Sequence, residues 1–413
     1  MDYVGPARRI TQTLFLAQSL GSAGLIVAST VNSIVGASLS GNPALAGVPA
    51  GVFLIGSALS ALAWGYTMDW FGRRVGLAIG LAFGVMGAGL AVYAIVGNSW
   101  GGFLAGLTVM GGAQAALQLS RFVAAEVHPP AARGRAISNV VIGGTVGAVF
   151  GPWLVGPTGS WARQAGFDEM VGPFAIAVLL YALAGLAIFI LLRPDPLELG
   201  RKMASEFPEE LPSQGRVRSL QEILQQPAPL AAMAVMVAGQ MVMVMLMVIT
   251  SLHMKGHNHA LTDISLVISA HTFGMFAFSI FSGQLSDRWG RGPVILVGIG
   301  TLILACLLAP LSSEVVPLAV SLFLLGLGWN FCFVGGSSLL SDHLSPLERA
   351  RTQGFNDLLI GLASALGSVG SGVVFAIAGY GVMGLFGILV ALVPFALILR
   401  WQISQNRRSR AAI

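Results

Sequence analysis

The sequence predicts an all-α polytopic membrane protein whose twelve transmembrane helices form two pseudo-symmetric six-helix bundles. Of its 413 residues, 55% are hydrophobic and 9% are charged, whereas soluble domains carry about 25% charged residues. Apolar stretches of roughly 20 residues, the length that spans a bilayer, recur along the whole chain. A charged loop motif also occurs twice, once in each half. Lipid is therefore the expected solvent for most of the surface.

The apolar stretches locate the helices. Their approximate limits are 14–39, 44–66, 75–97, 100–122, 136–157, 171–192, 229–252, 263–284, 293–311, 315–340, 353–378 and 381–401. The 54 glycines suit such a bundle, since helices in lipid approach one another through small residues.

A long segment rich in charge and proline separates six spans from six. It predicts an N-terminal bundle over 1–192, a cytoplasmic linker loop over 193–228, and a C-terminal bundle over 229–413 that ends in a short basic cytoplasmic tail. With both termini in the cytoplasm, all Lys and Arg residues except Arg163 and Lys255 lie on the cytoplasmic side. That asymmetry follows the positive-inside rule. The net charge of +5 therefore indicates membrane orientation, and no nucleic-acid partner is expected.

The charged loop motif follows the second span of each half. The first copy contains Gly65, Asp69, Gly72, Arg73 and Arg74, and the second contains Gly283, Asp287, Arg288, Gly290 and Arg291. A second pair of segments also matches: Glu126, Pro130, Arg133 and Arg135 correspond to Asp342, Pro346, Arg349 and Arg351. A tight, well-anchored turn in which glycine supplies backbone freedom is the alternative to a functional role for these loops, and the functional role is favoured.

The Gly-x-x-x-Asp-x-x-Gly-Arg pattern resembles the signature loop of the major facilitator superfamily, and the resemblance covers essentially the whole chain. It implies substrate binding between two bundles near the middle of the membrane, with transport by alternating access. It also implies that Asp69 and Asp287 lie against helix N-termini and arginines and hold the cytoplasmic side closed. A helix dipole stabilises a carboxylate at its N-terminus.

Sequence motifs of common enzymes are missing: no Walker loop, Gly-x-Ser-x-Gly or His-Glu-x-x-His occurs. The prediction is a non-enzymatic carrier driven by a gradient and working as a monomer in membrane lipid. Gly147-x-x-x-Gly151-Pro152 resembles part of the antiporter motif of drug exporters, but the following Gly-Gly is missing and a Gly-Pro kink that lets helices approach is the preferred explanation. Cys306 and Cys332 lie in predicted helices, so no disulfide is expected, and their participation in a site is left open.

Methionine and histidine concentrate around the first helical hairpin of the second half. Span 7 offers the pairs Met241/Met245 and Met243/Met247, and span 8 places His271 and Met275 one turn apart. Thioethers and imidazoles are ligands that suit Cu(I). Each methionine alone is explained as a residue that fills apolar space. For His271 three interpretations are open: a packing residue, a proton relay or a ligand. The predicted exterior loop adds possible ligands for metal capture: His253, Met254, His257 and His259.

The Met-x-x-x-Met and His-x-x-x-Met patterns resemble those of CcoA-like copper importers, inner-membrane proteins of bacteria that supply copper for cytochrome oxidase assembly. The resemblance implies copper as the transported substrate, with no resident cofactor, held by Met243, Met247, His271 and Met275. Relatives in the same branch carry organic solutes such as riboflavin, so transport of a drug or vitamin is an open alternative. A copper sensor or assembly partner that does not transport is a third possibility.

Overall fold

The computed structural model describes residues 4–206 and 218–411. Within those ranges the chain forms fifteen α-helices and three short 3-10 turns, with no strand, so the all-α prediction is confirmed there. Eleven of the described helical segments are long and apolar enough to cross a membrane. The last of them, Arg351–Ser404, contains both of the final predicted spans, and Gly379, with φ 74°, divides it.

The helices group into two compact units. Unit 1 comprises Met1–Glu210 with His259–Ser269, and unit 2 comprises Leu211–Asn258 with Ala270–Ile413. The first eight helices are α1 (Val4–Ser40), α2 (Val48–Phe71), α3 (Arg73–Val96), α4 (Trp100–Glu126), α5 (Pro130–Phe150), α6 (Val155–Gln164), α7 (Val171–Leu191) and α8 (Pro196–Glu206). The others are α9 (Leu220–Leu224), α10 (Pro227–Gly256), α11 (Leu261–Phe276), α12 (Ser279–Trp289), α13 (Arg291–Leu308), α14 (Val315–Asp342) and α15 (Pro346–Ala411).

In unit 1, α1 packs against α5 and α7, while α4 packs against α2 and α3. Two glycines bring α5 onto α1: a Cβ on Gly147 would overlap the Ser19 carbonyl, and one on Gly151 would lie 3.0 Å from the Ala23 carbonyl oxygen. The Gly-x-x-x-Gly part of the supposed antiporter motif therefore permits contact between two backbones. The predicted span 136–157 is divided, because Pro152 has no N–H for a helical hydrogen bond; a 3-10 turn, Gly151–Leu154, separates α5 from α6.

In unit 2, α10 packs against α14 and α15, and α13 packs against the same two helices. The predicted span 263–284 is also divided, into α11 and α12. The predicted linker loop 193–228 contains two helices, α8 and α9, while its middle, 207–217, lies outside the described residues. Helix α8 forms because Leu199 and Met203 are buried on one side while Arg201 and Lys202 remain exposed. The predicted basic tail continues α15 as far as Ala411.

Candidate substrate-binding and gating sites

The repeated loop of unit 1 is a turn between α2 and α3 that carries a charged network. Arg73 donates from Nη1 to Asp69 Oδ1 at 2.5 Å, and from Nε and Nη2 to the two Glu126 oxygens at 3.0 Å. Gly72 makes the turn with φ 87°, a conformation open mainly to glycine. The network joins the ends of three helices at one end of unit 1.

The N-terminus of α3 is occupied by Asp195. Its Oδ1 accepts from the backbone N–H of Arg73 and its Oδ2 from that of Arg74, both at 3.1 Å. Asp69 lies in the last turn of α2 and contacts the Arg73 side chain. Within unit 1, the expected arginine contact of Asp69 is therefore present, but the carboxylate at this helix N-terminus comes from Asp195, which the sequence analysis did not single out.

The second copy has the same geometry in unit 2. Arg291 donates from Nη1 to Asp287 Oδ1 at 2.5 Å and from Nε to Asp342 Oδ2 at 3.0 Å, and Gly290 has φ 89°. Asp342 thus accepts from Arg291 as Glu126 accepts from Arg73 in unit 1, as the sequence repeat predicts.

The remaining loop residues have simpler places. Arg74 donates from Nε to the Phe189 carbonyl at 2.8 Å and lies over that ring. Arg288 is exposed, while Gly65 and Gly283 lie inside α2 and α12. The gating role of both loops stays a prediction.

The two methionine pairs of α10 have different surroundings. A Cβ on Gly367 of α15 would lie 3.4 Å from the Cγ atoms of both Met241 and Met245, so this pair packs between two helices. Met243, 6% exposed, and the half-buried Met247 lie on another side of α10. Helical spacing places them on the same face as Gln240. Of the two registers left open by the sequence, Met243/Met247 is therefore the pair beside the polar groups.

His271 is fully buried, and its Nδ1 lies 3.0 Å from the Leu322 carbonyl oxygen. Because a carbonyl only accepts, Nδ1 carries the hydrogen and Nε2 of the neutral ring presents a lone pair. Nε2 has no hydrogen-bond partner among the described residues. Met275, one turn later, is half-buried. His271 is thus anchored to α14 on one side and has one free nitrogen on the other.

The break between α11 and α12 is stabilised by Asn330 of α14, a residue 2% exposed. Its Nδ2 donates to the Met275 carbonyl at 2.6 Å and to Ser279 Oγ at 2.8 Å, and its Oδ1 accepts from Ser282 Oγ. A side chain that inserts into the helical hydrogen-bond ladder interrupts it. Interrupted membrane helices are typical of transporter binding sites.

An aromatic group lies beside this break. Trp329 stacks on Phe333 with centroids 5.0 Å apart, and Phe276 approaches Trp329 edge-on at 6.3 Å. The Trp329 indole Nε1 donates to Gln240 Oε1 at 2.7 Å. All four side chains are half-buried. The face combines ring surfaces with one amide, the composition of a pocket for an organic ligand.

Polar groups continue along the same face of α10. Met236 Sδ accepts from Ser337 Oγ at 3.3 Å and from Asn356 Nδ2 at 3.7 Å. Thr352 and Asn356 lie one turn apart on α15 and are fully buried. Their Oγ1 and Oδ1 atoms have no hydrogen-bond partner among the described residues. Such buried oxygens are available to a donor group of a ligand or to water.

The candidate ligands near the predicted exterior are largely packed. His253 stacks on Tyr380 at 4.3 Å, and Tyr380 in turn shares a 2.7 Å hydrogen bond with Thr250. Met254 is fully buried, while His257 is exposed and His259 half-buried. In the described ranges, no three His, Cys, Asp or Glu side chains are grouped to hold a metal ion. A copper site would have to depend on methionine thioethers.

The cysteines are packing residues. Cys306 and Cys332 are buried, at 1% exposure each. A Cβ on Gly387 would lie 2.8 Å from Cys306 Sγ, and one on Gly239 would lie 3.4 Å from the Cβ of Cys332. The small thiols fill close contacts between helices.

Four residues of this region were missed by the sequence analysis: Gln240, Trp329, Asn330 and Asn356. The three amides among them have a signal in the sequence, because an amide within an apolar span is costly in lipid and is usually functional. Trp329 has no such signal.

The geometry defines a polytopic α-helical transporter fold: two membrane-spanning units with matching charged loops, and an interruption between α11 and α12 beside a buried polar face. The sequence matches the profile of the Major Facilitator Superfamily over residues 14–261 and 230–412. The chain belongs to this superfamily, and it is a multi-pass membrane protein of the secondary transporter class.

Relatives and solved structures agree with this assignment. The uncharacterized MFS-type transporter YdeG of Bacillus subtilis is 34% identical over 94% of this chain and 91% of its own length. The riboflavin transporter RfnT of Brucella anthropi is 32% identical over 95% of this chain and 96% of its own. The nucleoside transporter NupG has the same fold, with a TM-score of 0.71 and 17% identity over 97% of this chain and 99% of its own.

The narrower resemblance to copper importers finds no support among these relatives.

Proposed function

We propose that the protein is a secondary transporter of a planar aromatic organic solute, with riboflavin as the first candidate. The observation that carries the proposal is the face formed by Gln240, Trp329 and Phe333, where stacked rings lie beside an amide. An aromatic ring system stacks on such a surface with about 0.5–1.5 kcal/mol beyond its area burial. The 32% identity to a riboflavin transporter supports the same class.

Copper uptake is the competing hypothesis. The lone pair on His271 Nε2 and the placement of Met243 beside Gln240 favour it. Against it, Met241, Met245 and Met254 are packing residues, and none of the relatives described above is named as a copper transporter. A copper sensor that does not transport would bind the metal without moving it.

Uptake of labelled riboflavin tests the proposal, in a bacterial strain without its own riboflavin uptake. We expect the wild type to accumulate the label, with a copper chelator having no effect. Gln240→Leu leaves the indole N–H of Trp329 without its acceptor. It should raise KM about fivefold, the equivalent of ~1 kcal/mol, with kcat almost unchanged.

The matched control is Gln353→Leu. It removes an amide of α15 that donates to Asp357 of the same helix and does not contact Trp329 in the way that Gln240 does. If cells that express the protein take up no more riboflavin than cells with an empty vector, riboflavin is not the substrate. Uptake of copper that depends on Met243 and His271 would favour the competing hypothesis.

For location we propose the bacterial inner membrane, with both termini in the cytoplasm. The distribution of Lys and Arg supports this orientation. A reporter that is active only in the cytoplasm, fused after Ile413, should be active. The same reporter inserted at Gly166, between α6 and α7, should be silent.

A further inference from the structure

A cavity of about 430 Å³ opens at the end of unit 1 where the charged network lies. Arg73 at the start of α3, Glu126 at the end of α4, Arg133 in the first turn of α5 and Arg201 of α8 line it. These are all at the same end of the bundle, because successive membrane helices alternate in direction. The cavity therefore lies at a membrane–water boundary.

The lining is positively charged. It carries three guanidinium groups and one carboxylate, and Arg73 pairs with that carboxylate, Glu126, and with Asp69 beside the cavity. Guanidinium groups bind phosphate oxygens through paired N–H donors. The lining thus suits an anion that carries phosphate.

The cavity also has an apolar side. Phe122 is 49% exposed on α4, and Leu197 lines the cavity from α8. The Arg121 guanidinium lies 4.9 Å from the centre of the Phe122 ring. A soluble phosphate would leave this apolar surface uncovered, whereas a lipid would cover it.

Helix α8 brings the charge and the apolar surface together. It buries Leu199 and Met203 against the rest of the chain and exposes Arg201 and Lys202. A Cβ on Gly200 would lie 3.3 Å from the Glu126 Cβ, so α8 rests directly on the end of α4.

We propose that this cavity binds the phosphate headgroup of an anionic phospholipid, with Phe122 and Leu197 against the glycerol and the start of an acyl chain. Basic pockets between membrane helices are known to take acidic headgroups. The site is built from residues of unit 1, whereas the face proposed for substrate is built from residues of unit 2, so the proposal does not depend on the identity of the transported solute.

Native mass spectrometry of the purified protein with phosphatidylglycerol and phosphatidylcholine tests this proposal. We expect the wild type to prefer phosphatidylglycerol by about thirtyfold, the value for two arginines near a headgroup. The double variant Arg133→Gln/Arg201→Gln should lose the preference. Arg163→Gln is the matched control, since that arginine pairs with Glu169 at the opposite end of unit 1, and it should retain the preference.

Equal binding of both lipids to the wild type would overturn the proposal, as would an undiminished preference in the double variant. A competition arm distinguishes the sources of phosphate. Millimolar glycerol phosphate should fail to displace phosphatidylglycerol; displacement by it would identify a site for a soluble anion instead. The comparison of the two lipids on the wild type stands even if the double variant fails to fold.

Discussion

The side-chain amide of Asn330 donates a 2.6 Å hydrogen bond to the backbone carbonyl of Met275, between the end of α11 and the start of α12. The same amide contacts Ser279 and Ser282. One residue of α14 thus holds both sides of an interrupted helix. The interruption is therefore held in place by hydrogen bonds from a neighbouring helix.

Replacing Asn330 with alanine should therefore destabilise the protein and impair transport. The substitution removes the donor to the buried Met275 carbonyl and to Ser279 Oγ, at a cost of about 1–3 kcal/mol. Thermal unfolding in detergent and solute uptake measure the two effects. Thr301→Ala, which removes an exposed hydroxyl bound to its own helix, is the control and should change neither. An unchanged melting temperature in Asn330→Ala would show that the amide does not hold the break.

The two buried oxygens of α15 separate a role in stability from a role in binding. Thr352→Val and Asn356→Leu each remove a buried atom with no hydrogen-bond partner among the described residues. Thr352→Val should leave stability unchanged or raise it by about 1 kcal/mol, because the cost of an unsatisfied group disappears. Asn356→Leu should raise it less, because it also removes the donor to Met236 Sδ. If the oxygens accept from the solute, uptake falls at the same time. Full uptake with raised stability would assign both to helix packing alone.

Asp195 and Asp69 should respond differently to the same substitution. Asp195→Asn weakens the acceptor for two backbone N–H groups at the N-terminus of α3, and caps of this kind contribute about 0.5–2 kcal/mol. The Asp69 side chain is 64% exposed, so Asp69→Asn should alter stability little. Any effect of Asp69→Asn should appear in the transport rate. Equal losses of melting temperature in the two variants would contradict this assignment.

The Arg218–Glu348 pair makes part of the stability sensitive to acid. Arg218 donates to both Glu348 oxygens, at 2.7 and 2.8 Å, and these bonds lower the pKa of the buried Glu348 carboxyl far below its usual value. The pair also raises the pKa of the Arg218 guanidinium, which is charged throughout. The lowered pKa means that the folded state favours the carboxylate.

This stabilisation is complete above the unfolded pKa of about 4.3. It is lost as pH falls from there toward the folded pKa. Melting temperatures of the wild type should therefore decline below about pH 4.3, and Glu348→Gln should show a flatter acid limb from a lower starting point. Parallel curves for the two proteins would contradict the role of the pair.

Most of the fold could be predicted from the sequence, because a lipid-facing helix must be apolar over its whole length. The limits of α4, α7 and α14 differ from the predicted spans by only a few residues. The two interruptions differ in origin. The interruption at Pro152 has a local cause that the sequence itself shows. The interruption after Met275 depends on Asn330, which is remote in sequence.

The candidate site was less predictable. Composition singled out the Met and His stretch, but two pairs with the same spacing are indistinguishable until Gly367 is seen to pack on Met241 and Met245. The contact between Gln240 and Trp329 joins helices 89 residues apart in sequence. No local pattern specifies such a pair.

The position of Asp195 has a consequence for how the chain is made. Asp195 follows Arg73 by 122 residues, so the start of α3 lacks its cap until the ribosome has completed α7. Arg218 likewise precedes its partner Glu348 by 130 residues, so this contact also forms late in synthesis. Each unit therefore reaches its final hydrogen bonding only after most of its spans have entered the bilayer. A half of the chain that is only partly inserted therefore lacks these hydrogen bonds.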